Sequence, residues 1–166
     1  MKIIRKKMGN KRASAEAIRK KTYHPLRRKN KMKPKKIRPE EGYWIIPPEI
    51  YDPLNNEFKF EFDPCPNPKP KEFDGLNVDW KESNWVNPPF WAGITAWVRK
   101  ALAEQEKGKT SVLILPLDNW VRLLIEAGAE IRSVGSHEWI HTKDGTRRKA
   151  PRPSFLFVLK GSSHKT

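Results

Sequence analysis

The distribution of charge along the chain limits which residues can form a folded domain. Residues 1–38 hold 17 Lys and Arg residues and one acid, Glu16, whereas residues 39–166 hold 17 basic and 18 acidic residues. A segment that is nearly half Lys and Arg cannot bury enough apolar surface to offset the entropy of ordering. We therefore expect a basic flexible arm over 1–38, a folded domain over 39–161 and a flexible C-terminal tail over 162–166.

The basic arm indicates an anionic partner, and other features exclude several protein classes. A dense basic segment binds nucleic acid through the release of counterions; a solubilising or localisation tail is the alternative. The single cysteine, Cys65, cannot form an internal disulfide. The longest apolar run, Val112 to Leu117, is far shorter than the ~20 residues of a membrane-spanning helix. With no apolar signal segment near the N-terminus either, we expect a soluble, cytoplasmic protein without a membrane partner.

Strand and helix patterns alternate through the expected domain. Patterns typical of strands, which alternate every second residue or form short apolar runs, cover 58–62, 84–86, 112–115, 129–134, 138–142 and 154–159. Patterns typical of helices start at Pro48 and cover 93–108 and 119–127. The run 112–115 is apolar throughout, as expected for a strand buried on both faces. We therefore predict an α/β fold in which the last two strands form a C-terminal β-hairpin at an antiparallel edge.

The most informative segment is Asn87-Pro88-Pro89-Phe90, which directly follows the strand pattern at 84–86. Two consecutive prolines remove backbone donors and make the turn rigid, so that it presents its carbonyl oxygens and the Asn amide. Asn87 Oδ1 and the Pro88 carbonyl can then accept the two hydrogens of an exocyclic amine while Phe90 stacks on the base ring. An Asn-Pro turn with a core phenylalanine is the structural alternative.

Further motifs accompany this segment in a fixed order. They are Trp44-Ile45-Ile46-Pro47-Pro48-Glu49-Ile50-Tyr51-Asp52, Phe60-Glu61-Phe62-Asp63-Pro64-Cys65, Asp74-Gly75-Leu76, Trp80, Trp85-Val86-Asn87-Pro88-Pro89-Phe90, Trp97-Val98-Arg99-Lys100-Ala101 and Leu113 to Pro116. With this set the chain resembles phage-type DNA N-6-adenine-methyltransferases from residue 43 to about residue 160. The resemblance implies a compact Rossmann-like domain that transfers the methyl group of S-adenosylmethionine to N6 of an adenine flipped out of DNA.

The resemblance also implies where the site lies. Its catalytic motif falls on Asn87, Pro88, Pro89 and Phe90. Cofactor contacts are implied near two further motifs and at two acidic residues, namely Trp44, Pro47, Pro48, Asp63, Pro64, Cys65, Asp74 and Asp79. Ligands of an open α/β sheet bind beyond the carboxyl ends of its strands, where strand-end carboxylates can contact them. No metal ion is needed, because transfer depends on aligning the amine with an already activated methyl group.

Two features distinguish this chain from the pattern of that family. Ile46 stands where the family usually has Thr, and only 24 positions separate Asp63 from Asn87, so we expect an abbreviated cofactor half. Asn-Pro-Pro-Phe does not choose the base, which leaves methylation of cytosine N4 or of RNA adenine as alternatives. A further alternative is a degenerate methyltransferase fold that binds nucleic acid without catalysis.

Nucleic-acid contacts are expected beside the motif and in a basic loop near the C-terminus. Trp91 follows the motif closely enough to form a wall of the pocket. Arg147, Arg148, Lys149 and Arg152 either contact DNA phosphates or remain a solvated loop.

The remaining candidates have structural explanations. Asp118 and Asn119 are expected to cap a helix, and Cys65 is expected to be inert because nothing basic beside it would lower its pKa. The four histidines are not at metal-ligand spacing. The remaining tryptophans are expected in the core, namely Trp80, Trp85, Trp97, Trp120 and Trp139.

Overall fold

The computed structural model describes residues 43–90, 93–149 and 152–161. These residues form, in chain order, β1 (Trp44–Ile45), α1 (Pro48–Phe58), β2 (Ser83–Val86), α2 (Ile94–Glu106), β3 (Thr110–Pro116), α3 (Val121–Glu126), β4 (Glu130–Ser133), β5 (Glu138–His141), β6 (Arg147–Lys149) and β7 (Ser154–Leu159). The mixed α/β class predicted from the sequence is confirmed. The predicted arm (1–38) and tail (162–166) lie outside the described residues.

Four strands form the main sheet in the order β2-β3-β7-β4. β2 and β3 are parallel, and β7 is antiparallel to both β3 and β4. β7 therefore lies inside the main sheet, and the prediction that it forms a hairpin with β5 is wrong. The physical reason is that five of its six residues are buried, which requires a strand covered on both faces.

A second, smaller sheet has the order β1-β5-β6 and is antiparallel throughout. β5 and β6 form the hairpin, in which the Gly145 N–H donates to His141 O at 2.9 Å. The expected basic loop at 147–149 is thus the strand β6. Its three residues are all exposed, so no apolar pattern marks them, and pairing of the main chain with β5 makes them a strand.

Helix α1 starts at the predicted proline, but it extends further than expected. It runs through Phe58 and ends at Lys59, which is left-handed with φ 50° and ψ 59°. The first half of the strand predicted at 58–62 is therefore helix and helix cap. Phe62 alone forms a bridge, in parallel with Asn84 of β2. The alternating phenylalanines were a misleading signal because a helix end and an extended segment meet within them.

Apolar residues fill both faces of the main sheet. One face of β3, with Leu113 and Leu115, packs with residues of α2 and α3, and the opposite face, with Val112 and Ile114, packs with α1 and β5. This confirms that the run 112–115 is buried on both faces. Of the tryptophans expected in the core, Trp120 is half-buried and the others are buried, namely Trp80, Trp85, Trp97 and Trp139. Within the described part of the chain, every helix is too short or too polar to cross a membrane.

One buried carboxylate connects the end of α2 to the start of β3. Glu104 is 0% exposed, and its oxygens contact Nζ of Lys100, Lys107 and Lys109 at 2.9, 3.0 and 2.6 Å. Lys109 Nζ also donates to Trp80 O at 2.5 Å. Burial opposes ionisation of Glu104, but the hydrogen bonds from the three lysines outweigh it and lower the pKa to about 2. The cluster thus holds the loop before β2, through Trp80, against the C-terminal end of α2.

Candidate active site

Asn87 lies directly after β2, at the carboxyl edge of the main sheet. The two prolines after it end the strand, because neither can donate to a neighbouring strand. Asn87 is half-buried, and its Nδ2 donates to Trp44 O of β1 at 3.4 Å. No other hydrogen bond to the Asn87 side chain is present within residues 43–90, 93–149 and 152–161, which leaves Oδ1 as a hydrogen-bond acceptor for a ligand.

The ring of Phe90 is partly exposed to solvent and packs against the ring of Trp139. Its exposed fraction is 38%. Trp139 of β5 packs against it edge-on, with ring centroids 5.6 Å apart and planes at 86°. Trp139 is itself buried. The structural alternative of a core phenylalanine is therefore not what the fold shows, and Phe90 offers an aromatic face for stacking.

A cleft of about 410 Å³ opens beside Phe90 at this edge of the sheet. Its walls come from the start of α2, the residues after β3 and the segment before β7, namely Phe90, Gly93, Ile94, Thr95, Pro116, Asp118, Trp120 and Arg152. Ligand sites in α/β proteins occur at such edges. The volume is within the range of pockets for small molecules, about 300–1,000 Å³.

Asp118 belongs to this cleft and does not cap a helix. The first capping position of α3 is Trp120, which makes no side-chain cap hydrogen bond within the described residues. The Asp118 carboxylate accepts from the Asn119 N–H at 2.8 Å and lies 3.5 Å from Arg152 Nη1. The expectation of an N-cap is therefore wrong, because α3 begins two residues later than the pattern suggested.

Asp63, predicted from the sequence as a cofactor contact, is a half-buried carboxylate in the segment after α1. It follows Phe62, which forms a parallel bridge with Asn84, the second residue of β2, so Asp63 lies alongside the second half of that strand. One carboxylate oxygen accepts from the Cys65 N–H at 2.7 Å. Burial raises the pKa of Asp63 to about 6, against the opposite effect of that hydrogen bond. Burial likewise raises the pKa of the Cys65 thiol, so this cysteine is not a nucleophile at neutral pH.

The loop that carries Asp74 packs closely on Pro64. A Cβ atom at Gly75 would lie 1.9 Å from Pro64 O, so only glycine allows this approach. Asp74 closes the loop, since its oxygens accept from the Leu76 N–H at 3.0 Å and from Asn77 Nδ2 at 2.7 Å. The structure thus brings Asp74 near the Asp63 segment, with its carboxylate already bonded within its own turn.

Asp79 lies elsewhere. It is paired with Lys107 Nζ at 3.0 Å, beyond the end of α2, and is 84% exposed. This hydrogen bond lowers the pKa of Asp79. Lys107 precedes β3, so Asp79 lies at the amino edge of the sheet, opposite to Asn87. The structure does not bring it together with the other predicted cofactor residues.

Trp44 of the small sheet contacts Asn87 through its carbonyl oxygen, and Pro47-Pro48 form the start of α1. Trp44 is half-buried, with its ring 4.9 Å from that of His141. Pro47 is the N-cap of α1 and its carbonyl accepts from the Ile50 N–H at 3.0 Å. Ile46 between them is only 5% exposed and packs in the core. The position that carries a hydroxyl in the resembled pattern therefore contributes packing here.

Comparison with protein families decides the assignment. The model of the family described as DNA N-6-adenine-methyltransferase (Dam) matches residues 33–164, which is most of the chain. The chain belongs to this family. Comparison with curated proteins and with solved structures returns no match.

The predicted phosphate-binding residues of this Dam-family domain differ in how engaged they are. Arg147 donates to Glu49 at 2.6 Å, and the Arg148 guanidinium lies 5.8 Å from the centre of the Trp44 ring. Lys149 is exposed on β6, and Arg152 is on the rim of the cleft. Trp91 lies outside the described residues.

Sequence reasoning did not assign several residues that line the cleft of the Dam-family domain. Ile94 and Thr95 were predicted only as the start of a helix, and Trp120 was predicted to lie in the core. Their positions after β2 and β3 were the available signal, because parallel neighbours end at the same edge of a sheet. Within the described residues, no group of three or more His, Cys, Asp or Glu side chains could hold a metal ion.

Proposed function

We propose that this Dam-family chain transfers the methyl group of S-adenosylmethionine to N6 of an adenine flipped out of DNA, and that its domain is Rossmann-like with an abbreviated cofactor half. The observation that carries the proposal is the motif at the carboxyl end of β2. There Asn87 is held through Nδ2 to Trp44 O at 3.4 Å, and the Phe90 ring is 38% exposed beside a cleft of about 410 Å³.

In the proposed reaction the motif holds the target amine. Asn87 Oδ1 and the Pro88 carbonyl accept the two N6 hydrogens, and Phe90 stacks on the adenine ring. Accepting both hydrogens from one side draws the nitrogen lone pair out of conjugation, so that N6 becomes a better nucleophile. Transfer of the methyl group to N6 would leave the electron pair of the broken bond with the departing thioether, and N6 would then release one proton to solvent water. A base in duplex DNA must first leave the stack to reach such a site.

The residues beside the motif suit a sulfonium cofactor. When bound, S-adenosylmethionine supplies the activated methyl group, so alignment is the main task of the protein. Asp63 is a half-buried carboxylate at the strand end, and with a pKa of about 6 it is largely ionised at neutral pH and can accept from a ribose hydroxyl. Cys65 beside it is half-buried and apolar, and Pro64 is covered by the loop that carries Asp74. Trp44 and Pro47-Pro48 complete the proposed contacts, and Asp79 is left out because it lies at the other edge.

DNA affinity is proposed to come from basic residues outside the motif. Arg148 and Lys149 are exposed on β6, and Arg152 lines the cleft beside Phe90. The arm over 1–38 supplies further positive charge, as its sequence predicts. Such contacts are not specific for sequence, because they read phosphates.

Transfer of labelled methyl groups to mixed-sequence DNA tests the proposal. The wild type should produce N6-methyladenine, and Asn87→Ala should lower the rate by about 100-fold or more, as when a positioned hydrogen-bonding group is removed. Asn56→Ala is the matched control, since Asn56 is exposed on α1. Wild-type protein that yields no N6-methyladenine above the Asn87→Ala level would disprove the proposal.

Two observations favour a second function, nucleic-acid binding without catalysis. Ile46 is buried in the core, and only 24 positions separate Asp63 from Asn87, which restricts the cofactor region. Calorimetry decides between the two functions, because a binding module would still bind DNA but would show no heat of binding with S-adenosylmethionine.

Nucleoside analysis of the product identifies which base is methylated, adenine at N6 or cytosine at N4, and whether it comes from DNA or RNA. This test is needed because the motif recognises only an exocyclic amine.

A further inference from the structure

The Asn87 side chain faces the main chain of β1, and this contact determines which of its terminal atoms remains for a ligand. Nδ2 lies 3.4 Å from Trp44 O. A carbonyl oxygen can only accept a hydrogen bond, so the nitrogen of the amide must face it. Asn87 Oδ1 is consequently turned away from β1. At 3.4 Å the contact is long for a hydrogen bond. An oxygen atom in the place of Nδ2 would nevertheless be repelled by the Trp44 oxygen, because neither atom could donate a hydrogen.

The direction of the Trp44 carbonyl follows from the pairing of β1. Trp44 is opposite His141 of β5, and β1 is the edge strand of the small sheet. The Thr142 N–H donates to Tyr43 O at 2.9 Å, so the Tyr43 carbonyl faces β5. Successive carbonyls of a strand point to opposite sides. The next carbonyl, that of Trp44, therefore points outward from the sheet, where Asn87 lies.

Side-chain contacts hold β1 in this position. The Tyr43 N–H donates to Thr142 Oγ1 at 2.9 Å. The ring of Trp44 lies 4.9 Å from that of His141, and the Arg148 guanidinium lies 5.8 Å from the centre of the Trp44 ring. A two-residue strand would be poorly fixed by main-chain pairing alone, and these contacts prevent it from moving away from Asn87.

We propose that the Trp44 carbonyl positions the Asn87 amide for methyl transfer and thereby selects asparagine over aspartate at this position. The inference rests on the proposed function, in which Asn87 Oδ1 accepts a hydrogen of the target amine. An ionised aspartate has no hydrogen to donate, so one carboxylate oxygen would face the Trp44 oxygen. The carboxylate would turn away, and its second oxygen would leave the place of Oδ1. A protonated aspartate could donate to Trp44 and restore the arrangement.

The elements that neighbour Asn87 and the cleft carry several charged groups. These groups are Asp63 after α1, Glu49 on α1, His141 on β5, Asp144 in the turn after it, Arg147 and Arg148 on β6, and Asp118 and Arg152 at the cleft. All of them are shared by the wild type and a variant at position 87. The ratio of variant to wild-type activity at each pH therefore isolates the titration of the new carboxyl group.

The experiment compares full-length wild type, Asn87→Asp and the control Asn56→Asp from about pH 5.5 to about pH 8.5, where a desolvated carboxyl group titrates. We expect kcat of Asn87→Asp to be at least about tenfold below wild type at the upper limit, as for a misplaced hydrogen-bonding group. The ratio to wild type should rise as pH falls, while that of Asn56→Asp stays near unity. A ratio that does not rise, at any level of activity, would overturn the inference.

A second readout does not depend on methylation. Facing the Trp44 oxygen raises the pKa of the introduced carboxyl group, so the melting temperature of Asn87→Asp should fall relative to Asn56→Asp as pH rises from about 4 to about 7. If wild type methylates no DNA but this deficit is present, the proposed function fails and the contact stands. If wild type is active and the deficit is absent, the contact fails alone.

Thr142 provides a test that leaves Asn87 unchanged. Thr142→Val removes the acceptor of the Tyr43 N–H, whereas Thr142→Ser keeps it. We expect kcat to fall a few-fold (~2–5) in Thr142→Val, as for the loss of one ordinary hydrogen bond, with KM for S-adenosylmethionine unchanged and with recovery in Thr142→Ser. Equal kcat values for both variants would contradict a positioning role of β1.

Discussion

Replacement of Glu104 by Gln measures how much the buried charge cluster stabilises the domain. Glu104 is 0% exposed, and its three lysine partners are 19%, 49% and 14% exposed. Gln keeps the shape of the side chain and one acceptor oxygen, but it removes the charge. Because the lysines already reach solvent, they can be rehydrated in the variant, and none is left as an isolated buried charge.

The pKa of Glu104 gives the expected magnitude. Folding lowers it from the ordinary 4.5 to about 2, and at ~1.36 kcal/mol per pH unit this corresponds to about 3 kcal/mol. We expect the free energy of unfolding of Glu104→Gln to be about 2–3 kcal/mol below that of the wild type at neutral pH, since water screens part of the attraction between Glu104 and the lysines. Because the pKa of Glu104 is lower in the folded than in the unfolded state, its contribution to stability is fully present above the unfolded pKa. That contribution is lost as pH falls through the folded pKa. The variant and the wild type should therefore converge between about pH 5 and pH 2.

Urea unfolding followed by tryptophan fluorescence is the assay, at neutral pH and at two acidic values. Glu106→Gln is the control, since Glu106 is exposed on the same helix, and it should change the free energy of unfolding by no more than about 0.5 kcal/mol. A Glu104→Gln variant as stable as the wild type at neutral pH would refute the reasoning. So would a destabilisation that stays constant as pH falls.

Three further predictions concern the proposed reaction. Phe90→Ala should lower kcat/KM for DNA by about 5- to 150-fold, since stacking on one base contributes ~1–3 kcal/mol, and Phe90→Trp should retain most activity; a Phe90→Ala variant with the kcat/KM of the wild type would exclude stacking. Activity of the wild type should fall below about pH 6 as Asp63 becomes protonated, whereas Asp63→Asn should show a raised KM for S-adenosylmethionine and lack this pH limb; an unchanged profile would remove Asp63 from the cofactor site. Deletion of 1–38 should weaken DNA binding and flatten its salt dependence in a titration at several salt concentrations, and an unchanged slope would contradict a phosphate-binding arm.

Elements with a strong apolar period were predictable almost to the residue. α2 spans Ile94–Glu106 within the predicted 93–108, and β7 coincides with the predicted 154–159. In both, burial determines which residues are apolar, and the sequence carries that burial pattern directly.

Pairing partners were less predictable, because they depend on the rest of the sheet. The sequence of β7 does not state that it lies between β3 and β4, and the three basic residues of β6 carry no strand signal. The alternation of Phe58, Phe60 and Phe62 suggested one strand, yet Lys59 ends a helix between the first two. Such boundaries depend on capping and tertiary contacts, which a period alone does not record.

The candidate site shows the same division. Asn87 and Phe90 could be proposed as site residues because the chemistry of their motif is local. Asp79 could not be separated from Asp74 by sequence, since only the pairing with Lys107 shows that it lies at the opposite edge. The cleft residues Thr95 and Asp118 come from different parts of the chain, and only the parallel arrangement of β2 and β3 brings them together.

The placement of β7 has a consequence for synthesis on the ribosome. Ser154–Leu159 follows every other described strand in sequence, yet it fills the gap between β3 and β4. Until it emerges, both neighbours expose unpaired edges that invite aggregation. A nascent chain that has not yet reached Ser154 therefore lacks an inner strand of its main sheet, and β3 and β4 can each pair with that last strand only after it is available.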